Sequence, residues 1–288
     1  MKQLIELTLT IFVLSQPVWC QPRIDVLVSS SDLISPALGA GSLATAFCRG
    51  FQNFPSLVVG SGNPIPTNLA GVSVTVNGRA APLLAVAGSA TGIQQVNFQV
   101  PWEVASTFER FEIVMLNVAI SFGGQSATRV QQAAISPGEF FWIGKNPAIF
   151  HADYSLVTGA NPAKWGETLI AYANGLSITF PRVQTGFSAP MEEPLARLLA
   201  NRGYSLSLRQ ERDPFYFSPT VLYQGLAPGL VGVFQINFVL DDRYLRSDTR
   251  NPGEGLLEII RDCGLFRCPP RTASFSMKIP IPISGAVE

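Results

Sequence analysis

The sequence predicts an all-β protein built of two tandem antiparallel β-sandwiches. Three observations carry that expectation: apolar and polar residues alternate in short runs punctuated by turn residues, helical periodicity is scarce, and one pattern of strands occurs twice. The length of 288 residues agrees, because roughly 100–150 residues per domain gives two domains, each with a core of its own.

Residues 1–20 read as a secretory signal peptide. Lys2 precedes a mostly apolar run from Leu4 to Leu14, and in Val18-Trp19-Cys20 the third and first positions before a cut are small, which leaves Gln21 first. Glu6 sets a charge inside the apolar stretch, so an uncleaved membrane anchor is the alternative, although the stretch is short for about 30 Å of hydrocarbon. Bulky Trp19 opposes lipid modification of Cys20, and no later segment has the length of a membrane helix, so the mature chain is expected to carry no membrane span.

The strands follow in order. VSVTV (Val72 to Val76) meets Asn77-Gly78 and then AAPLLAV (Ala80 to Val86), which predicts a hairpin because both turn residues tolerate positive φ. Val96, Phe98 and Val100 point one way, toward a core, while Gln95, Asn97 and Gln99 point toward water. Ile113 to Phe122, followed by Gly123-Gly124, predicts a further hairpin. Helical spacing is found only from Met191 to Asn201, started by Glu192 and Glu193 and stopped before Gly203.

The duplication constrains the fold most. GSLATAFCRGF (Gly41 to Phe51) has a counterpart in GETLIAYANGL (Gly166 to Leu176), and QVNFQV (Gln95 to Val100) has one in QINFVL (Gln235 to Leu240), in the same order. The second copy is longer between Leu176 and Tyr204 and between Asp241 and Gly255, where loops are expected. This divides the chain into a first sandwich at 21–137, a packed linker at 138–162 and a second sandwich at 163–288. The linker is expected to pack on both, because Phe140, Phe141, Trp142 and Phe150 are costly to leave in water.

Taken together, GVSVTVNGRAAPLLAV, QVNFQVP, HADYSLVTGANPAKWGETLIAYANGL and LYQGLAPGLVGVFQINF resemble an uncharacterised secreted C-terminal domain family of Acidobacteria of the Solibacter type. The resemblance implies that each sandwich is immunoglobulin-like, of IPT/TIG type. It implies no biochemical activity, since the family has none assigned. Phe47-Cys48-Arg49-Gly50 departs from the family's Gly-Thr-Asn type of turn, and Tyr154 stands where glycine is usual.

Charge and cysteines narrow the partners. Twenty basic and twenty acidic side chains cancel, and charged residues make up 14% against about 25% in an average soluble protein, so no field gathers nucleic acid or anionic lipid. Cys263 and Cys268 bracket Gly264-Leu265-Phe266-Arg267 between two strand-like runs, and a disulfide closing that hairpin loop fits an oxidising compartment. The rival, a metal or redox pair, lacks the second ligand pair that zinc requires. Cys48 is then unpaired and expected as a small buried hydrophobe.

Catalytic chemistry finds few residues. The one histidine, His151, has Asp153 two residues on, but neither GFSAP (Gly186 to Pro190) nor GGQSA (Gly123 to Ala127) forms a nucleophile elbow, so a structural or exposed role is expected. The paired carboxylates Glu192 with Glu193, and Asp241 with Asp242, are the candidates for a carbohydrate-active or peptide-cleaving hydrolase; both pairs fall in loop-rich stretches that a solvated surface explains. Asp241, Asp248, Asn251 and Glu254 supply oxygens for calcium without the spacing of a calcium loop. Trp102, Trp142, Trp165, Tyr204, Tyr216 and Tyr223 could form a sugar platform or fill the cores. No phosphate loop is present, and no cofactor is expected. The expected protein is a non-enzymatic extracellular module engaging a protein or polysaccharide, with homotypic pairing through edge strands as a further possibility.

Overall fold

The computed structural model describes residues 21–36, 38–107, 113–134, 138–198, 204–210, 218–240, 253–261 and 279–284. Strands dominate them, and a 3-10 turn at Trp102–Thr107 is the one helical element among the described residues. No helix there is long and apolar enough to cross a membrane.

The sheets assemble in an immunoglobulin order. In the first sandwich, Arg23–Ser29, Leu43–Arg49, Gln94–Gln99 and Leu83–Gly88 are neighbours in one antiparallel sheet, filling the A, B, E and D places, and Leu57–Val59 adds an outer edge. Val72–Val76, Ile113–Phe122 and Gln125–Ala134 fill C, F and G of the facing sheet.

The second sandwich repeats the plan. Ile149–His151, Thr168–Asn174, Val233–Val239 and Thr220–Leu226 run in the same A, B, E, D order, with Glu139–Phe140 pairing the far end of Thr168–Asn174. The facing sheet holds Tyr204–Gln210, Gly253–Arg261 and Ile279–Ser284, and Ala163–Lys164 joins the last of these in parallel. Leu38 makes a matching parallel bridge to Ala133 in the first sandwich. The sequence repeat is therefore a repeat of place: Leu43–Arg49 and Thr168–Asn174 are both B, Gln94–Gln99 and Val233–Val239 both E.

Local chemistry explains the turns. Asn77 and Gly78 both sit at positive φ (50° and 77°) between Val76 and its partner Arg79, a two-residue turn whose twist matches the strands it joins. Gly123 and Gly124 close the Ile113–Phe122 hairpin in the same way. The AAPLLAV run is divided, however, because Pro82 has no amide hydrogen to give a ladder. Arg79–Ala81 stays with Val72–Val76, while Leu83–Gly88 crosses to the other sheet.

Two hydrophobic clusters fill the interiors. Phe98 anchors one, among Leu27, Val74 and Ile120; Phe140, Phe234 and Phe238 anchor the other, among Leu169 and Ile236. Cys48 is fully buried in the first, and burial, with the Asp25 charge as a lesser cause, pushes its thiol up to about 12. In residues 21–288 carrying Cys263→Ser and Cys268→Ser, a thiol reagent is expected to modify Cys48 only after denaturation. Rapid labelling in native buffer would contradict its place in the core.

One expected element is corrected. Met191 to Asn201 forms no helical turn among its described residues: Met191 to Pro194 are bends, and Arg197–Leu198 is a strand pairing Thr179–Phe180 and Gly225. Pro194, the fourth residue of the run, steers Glu193 before it away from helical backbone, and the free sheet edge beside Thr220–Leu226 captures the chain instead.

Candidate functional site

The end of the first sandwich meets the start of the second in a closed junction. Asn174, the last residue of its strand, is buried; its Oδ1 accepts from Leu43 N at 2.8 Å, while Nδ2 donates to Leu43 O at 2.8 Å and to Ser29 Oγ at 2.9 Å. Gln99 joins it from the first sandwich: Gly186 N donates to its Oε1 at 2.7 Å, and its Nε2 donates to Gly41 O at 3.3 Å. Trp102 crosses over. Its ring packs on the second core, 6.5 Å from the Phe234 ring and nearly perpendicular to it, and its backbone amide donates to Thr185 Oγ1 at 2.9 Å. Two glycines make room: a Cβ on Gly41 would fall 2.1 Å from the Trp102 ring, and one on Gly232 would fall 2.7 Å from Leu43.

Glu139 lies buried beside this contact, its Oε2 accepting from Ser31 Oγ at 2.8 Å across the boundary. Burial holds its carboxyl above the usual range of 4.5, Asp32 adding to the rise, while the hydroxyls of Ser35, Ser29 and Ser31 pull part of the way back. The native state then binds this proton more tightly than the unfolded chain does. Stability falls as pH rises from 4.5 through the raised folded value, and the contribution is whole only below 4.5. Glu139→Gln is expected to match the parent in urea below that window and to exceed it at pH 7. Parallel denaturation midpoints at all pH values would contradict this.

The residues singled out in the sequence divide by environment. His151 is buried, its Nδ1 2.9 Å from Glu167 Oε2 and its Nε2 3.3 Å from Asn161 O, so both ring nitrogens are engaged in holding the segment 151–167. Asp153 does not reach it; the Ser155 hydroxyl and amide hold that carboxylate below the usual range. Glu193 is likewise held low by Leu195 N–H and by Arg197, which it meets at 2.7 Å, while Glu192 is exposed. The two adjacent carboxylates share no site. Asp241, Asp242, Asp248, Asn251, Tyr216, Cys263, Cys268 and the leader 1–20 lie outside the described residues, and no cluster of metal-ligating side chains occurs within them.

Of the aromatic candidates, Trp165 and Tyr223 are buried, Trp102 occupies the junction and Trp142 packs on the second core. Rings reach solvent elsewhere. On the outer face of the A–B–E–D sheet of the second sandwich, Tyr172 stands opposite Gln235, and Phe150 opposite Ile170 and so one strand beyond it. Phe150 and Tyr172 meet edge to face at 5.7 Å, and the Gln235 amide donates to Asn237 Oδ1 at 2.9 Å. Tyr154 lies on the turn after the Phe150 strand, its amide donating to His151 O at 3.0 Å; burial raises the Tyr172 phenol, and Tyr154 adds to the shift. The first sandwich carries the same device, with Phe47 opposite Gln95 and Gln95 Nε2 donating to Asn97 Oδ1 at 2.9 Å.

No protein-family model and no curated relative matches this chain. Among solved structures, a titin A168–A169 segment aligns over 93% of this chain and 100% of its own, at 9% identity and a TM-score of 0.21. Invasin, a bacterial integrin-binding protein, aligns over 91% of this chain and 39% of its own, at 9% identity and a TM-score of 0.24. Domains 5–6 of the S-layer protein SbsC align over 93% and 100%, at 11% identity and a TM-score of 0.20. Overlaps this loose carry nothing to the present chain, whose immunoglobulin order stands on its own strand pairings.

Sequence reasoning missed the residues that matter most at both places. Asn174 and Glu139 look like ordinary strand-end polar residues until the first sandwich covers them. Tyr154 sits at a φ of +63°, a left-handed backbone that glycine adopts without strain.

Proposed function

We propose that the chain is an extracellular, non-enzymatic binding or structural module. Its two sandwiches, of the IPT/TIG type that the Solibacter-type resemblance implies, would hold their outer faces in fixed relation at the cell surface or in the matrix. The observation that carries this reading is the junction. Asn174, Gln99 and Trp102 tie the two bodies through buried hydrogen bonds and ring packing, which suits presentation of surfaces. Residues 1–20 as a cleaved leader, the sandwiches at 21–137 and 163–288 with a connecting segment at 138–162 that lends the second its Ile149–His151 strand, and a Cys263–Cys268 bridge complete the proposal, all in keeping with an oxidising compartment.

The test is co-sedimentation of residues 21–288 with washed cell envelope and with insoluble polysaccharide. The protein is expected in the pellet, without release of soluble sugar. A protein wholly in the supernatant of both would contradict a binding role. Homotypic pairing has candidate edges among the described residues in Leu57–Val59, whose Leu57 and Val59 are 65% and 66% exposed, and in the ten-residue Gln125–Ala134. The first is too short for a long ladder, and the second is engaged where Leu38 bridges Ala133 and where Arg129 reaches Asp25 O, so light scattering is expected to report a monomer at micromolar concentration.

A further inference from the structure

The outer face of the second sandwich carries two half-buried rings, Phe150 and Tyr172, beside the polar side chains Gln235 and Asn237. Directly opposed residues share a face, so Tyr172, Gln235 and Gly225 form one row across the sheet, and Phe150, Ile170, Asn237 and Tyr223 form the next. Gly225 adds no side chain, and the Ala196 carbonyl and the Tyr223 hydroxyl fill the space a Cβ would take, so the open part of the row is Tyr172 and Gln235. At the far end, the Tyr223 ring carries the Arg197 guanidinium 5.0 Å above it, and Arg197 is neutralised by Glu193. From the strand of Phe150 to the strand of Tyr223 is three strand spacings, about 14 Å.

Tyr154 is the residue that stability does not explain. It is 66% exposed, and its φ of +63° is a conformation that a bulky side chain adopts only at a cost. Both features oppose folding, and both disappear with glycine. What Tyr154 adds is an exposed ring on the turn that follows the Phe150 strand.

We propose that Phe150, Tyr154, Tyr172, Gln235 and Asn237 form a binding platform for a neutral polysaccharide chain laid across the strands. Sugar rings present C–H faces that stack on aromatic rings, and hydroxyls that both donate and accept, as a carboxamide does. None of the five side chains is charged, so an anionic polymer gains nothing here. The proposal deepens the reading of the chain as an extracellular binding module and rests on it. The matching device in the first sandwich lacks the extra rings: the neighbours of Phe47 and Gln95 in that row are Val26 and Ala87.

The test is native affinity electrophoresis of residues 21–288 in gels cast with hydroxyethylcellulose, arabinoxylan or galactomannan, and with dextran sulfate as the anionic comparison. Retardation is expected in at least one neutral gel and is expected to survive added salt. Tyr154→Gly and Gln235→Ala should each weaken it about tenfold, while Gln95→Ala should not. Tyr154→Gly should also melt no lower than the parent, which separates lost binding from lost folding. Migration unchanged in all three neutral gels, retardation by dextran sulfate alone, or retardation indifferent to Tyr154→Gly and Gln235→Ala overturns the platform. If the protein still pellets with envelope in any of those cases, the module reading survives without it.

Discussion

Asn174→Ala is expected to lower unfolding free energy by about 3 kcal/mol and to split one denaturation transition into two. The substitution removes the acceptor of Leu43 N and the donor to Ser29 Oγ in a site closed to water. A buried donor left without a partner costs roughly 1–3 kcal/mol, and the empty volume of the amide adds to it. Leu43 O is spared, because Ser30 N also donates to it at 3.0 Å. Set against a net stability on the order of 5–15 kcal/mol, the loss is large. It falls on the contact between the sandwiches and on neither core, so each would then melt by itself. Urea titration followed by tryptophan emission and by far-ultraviolet circular dichroism checks both parts. A single coincident transition shifted by less than 1 kcal/mol would show that Asn174 does not couple them.

Gly41→Ala acts on the same contact from the other side, with a similar expected size. Gly41 sits at φ +76°, which costs an alanine about 1–2 kcal/mol, and the new methyl would fall 2.1 Å from the Trp102 ring. The ring cannot stay where it is. Its displacement removes the edge contact with Phe234 and opens the second core to water. A drop in Tm of roughly 6–12 °C, accompanied by a red shift of tryptophan emission, is expected for a loss near 3 kcal/mol. Gly78→Ala is the comparison, because a Cβ there meets nothing within 4 Å although its φ is also positive. Equal losses in the two variants would assign the whole effect to backbone strain.

The hairpins were legible because their signals are local. Asn77-Gly78 and Gly123-Gly124 need no knowledge of the rest of the chain, and the alternation of Val96, Phe98 and Val100 follows from the pleat. The duplication was legible because equivalent places in a sandwich demand equivalent residues, as Phe47 with Gln95 and Tyr172 with Gln235 illustrate. Gln99 marks the limit of this logic. It lies on the polar side of its strand, yet it is buried, because a second domain covers that position. No periodicity within one strand encodes a neighbour such as Gly186, 87 positions further on. The aromatic residues failed for a related reason. Trp165 and Tyr223 drew notice as large rings, but exposure is set by what packs over them, and the rings left open include Phe180, Tyr154 and, in part, Phe150 and Tyr172. The helical spacing of Met191 to Asn201 was a coincidence of composition that Pro194 and a vacant sheet edge overruled.

The fixed junction is tested most directly by residual dipolar couplings of residues 21–288 in a dilute aligned medium. One alignment tensor, shared in magnitude and orientation by the amides of both sandwiches, is the expected result. Two tensors of different magnitude would mean that the sandwiches reorient independently and that Asn174, Gln99 and Trp102 do not hold them as one body.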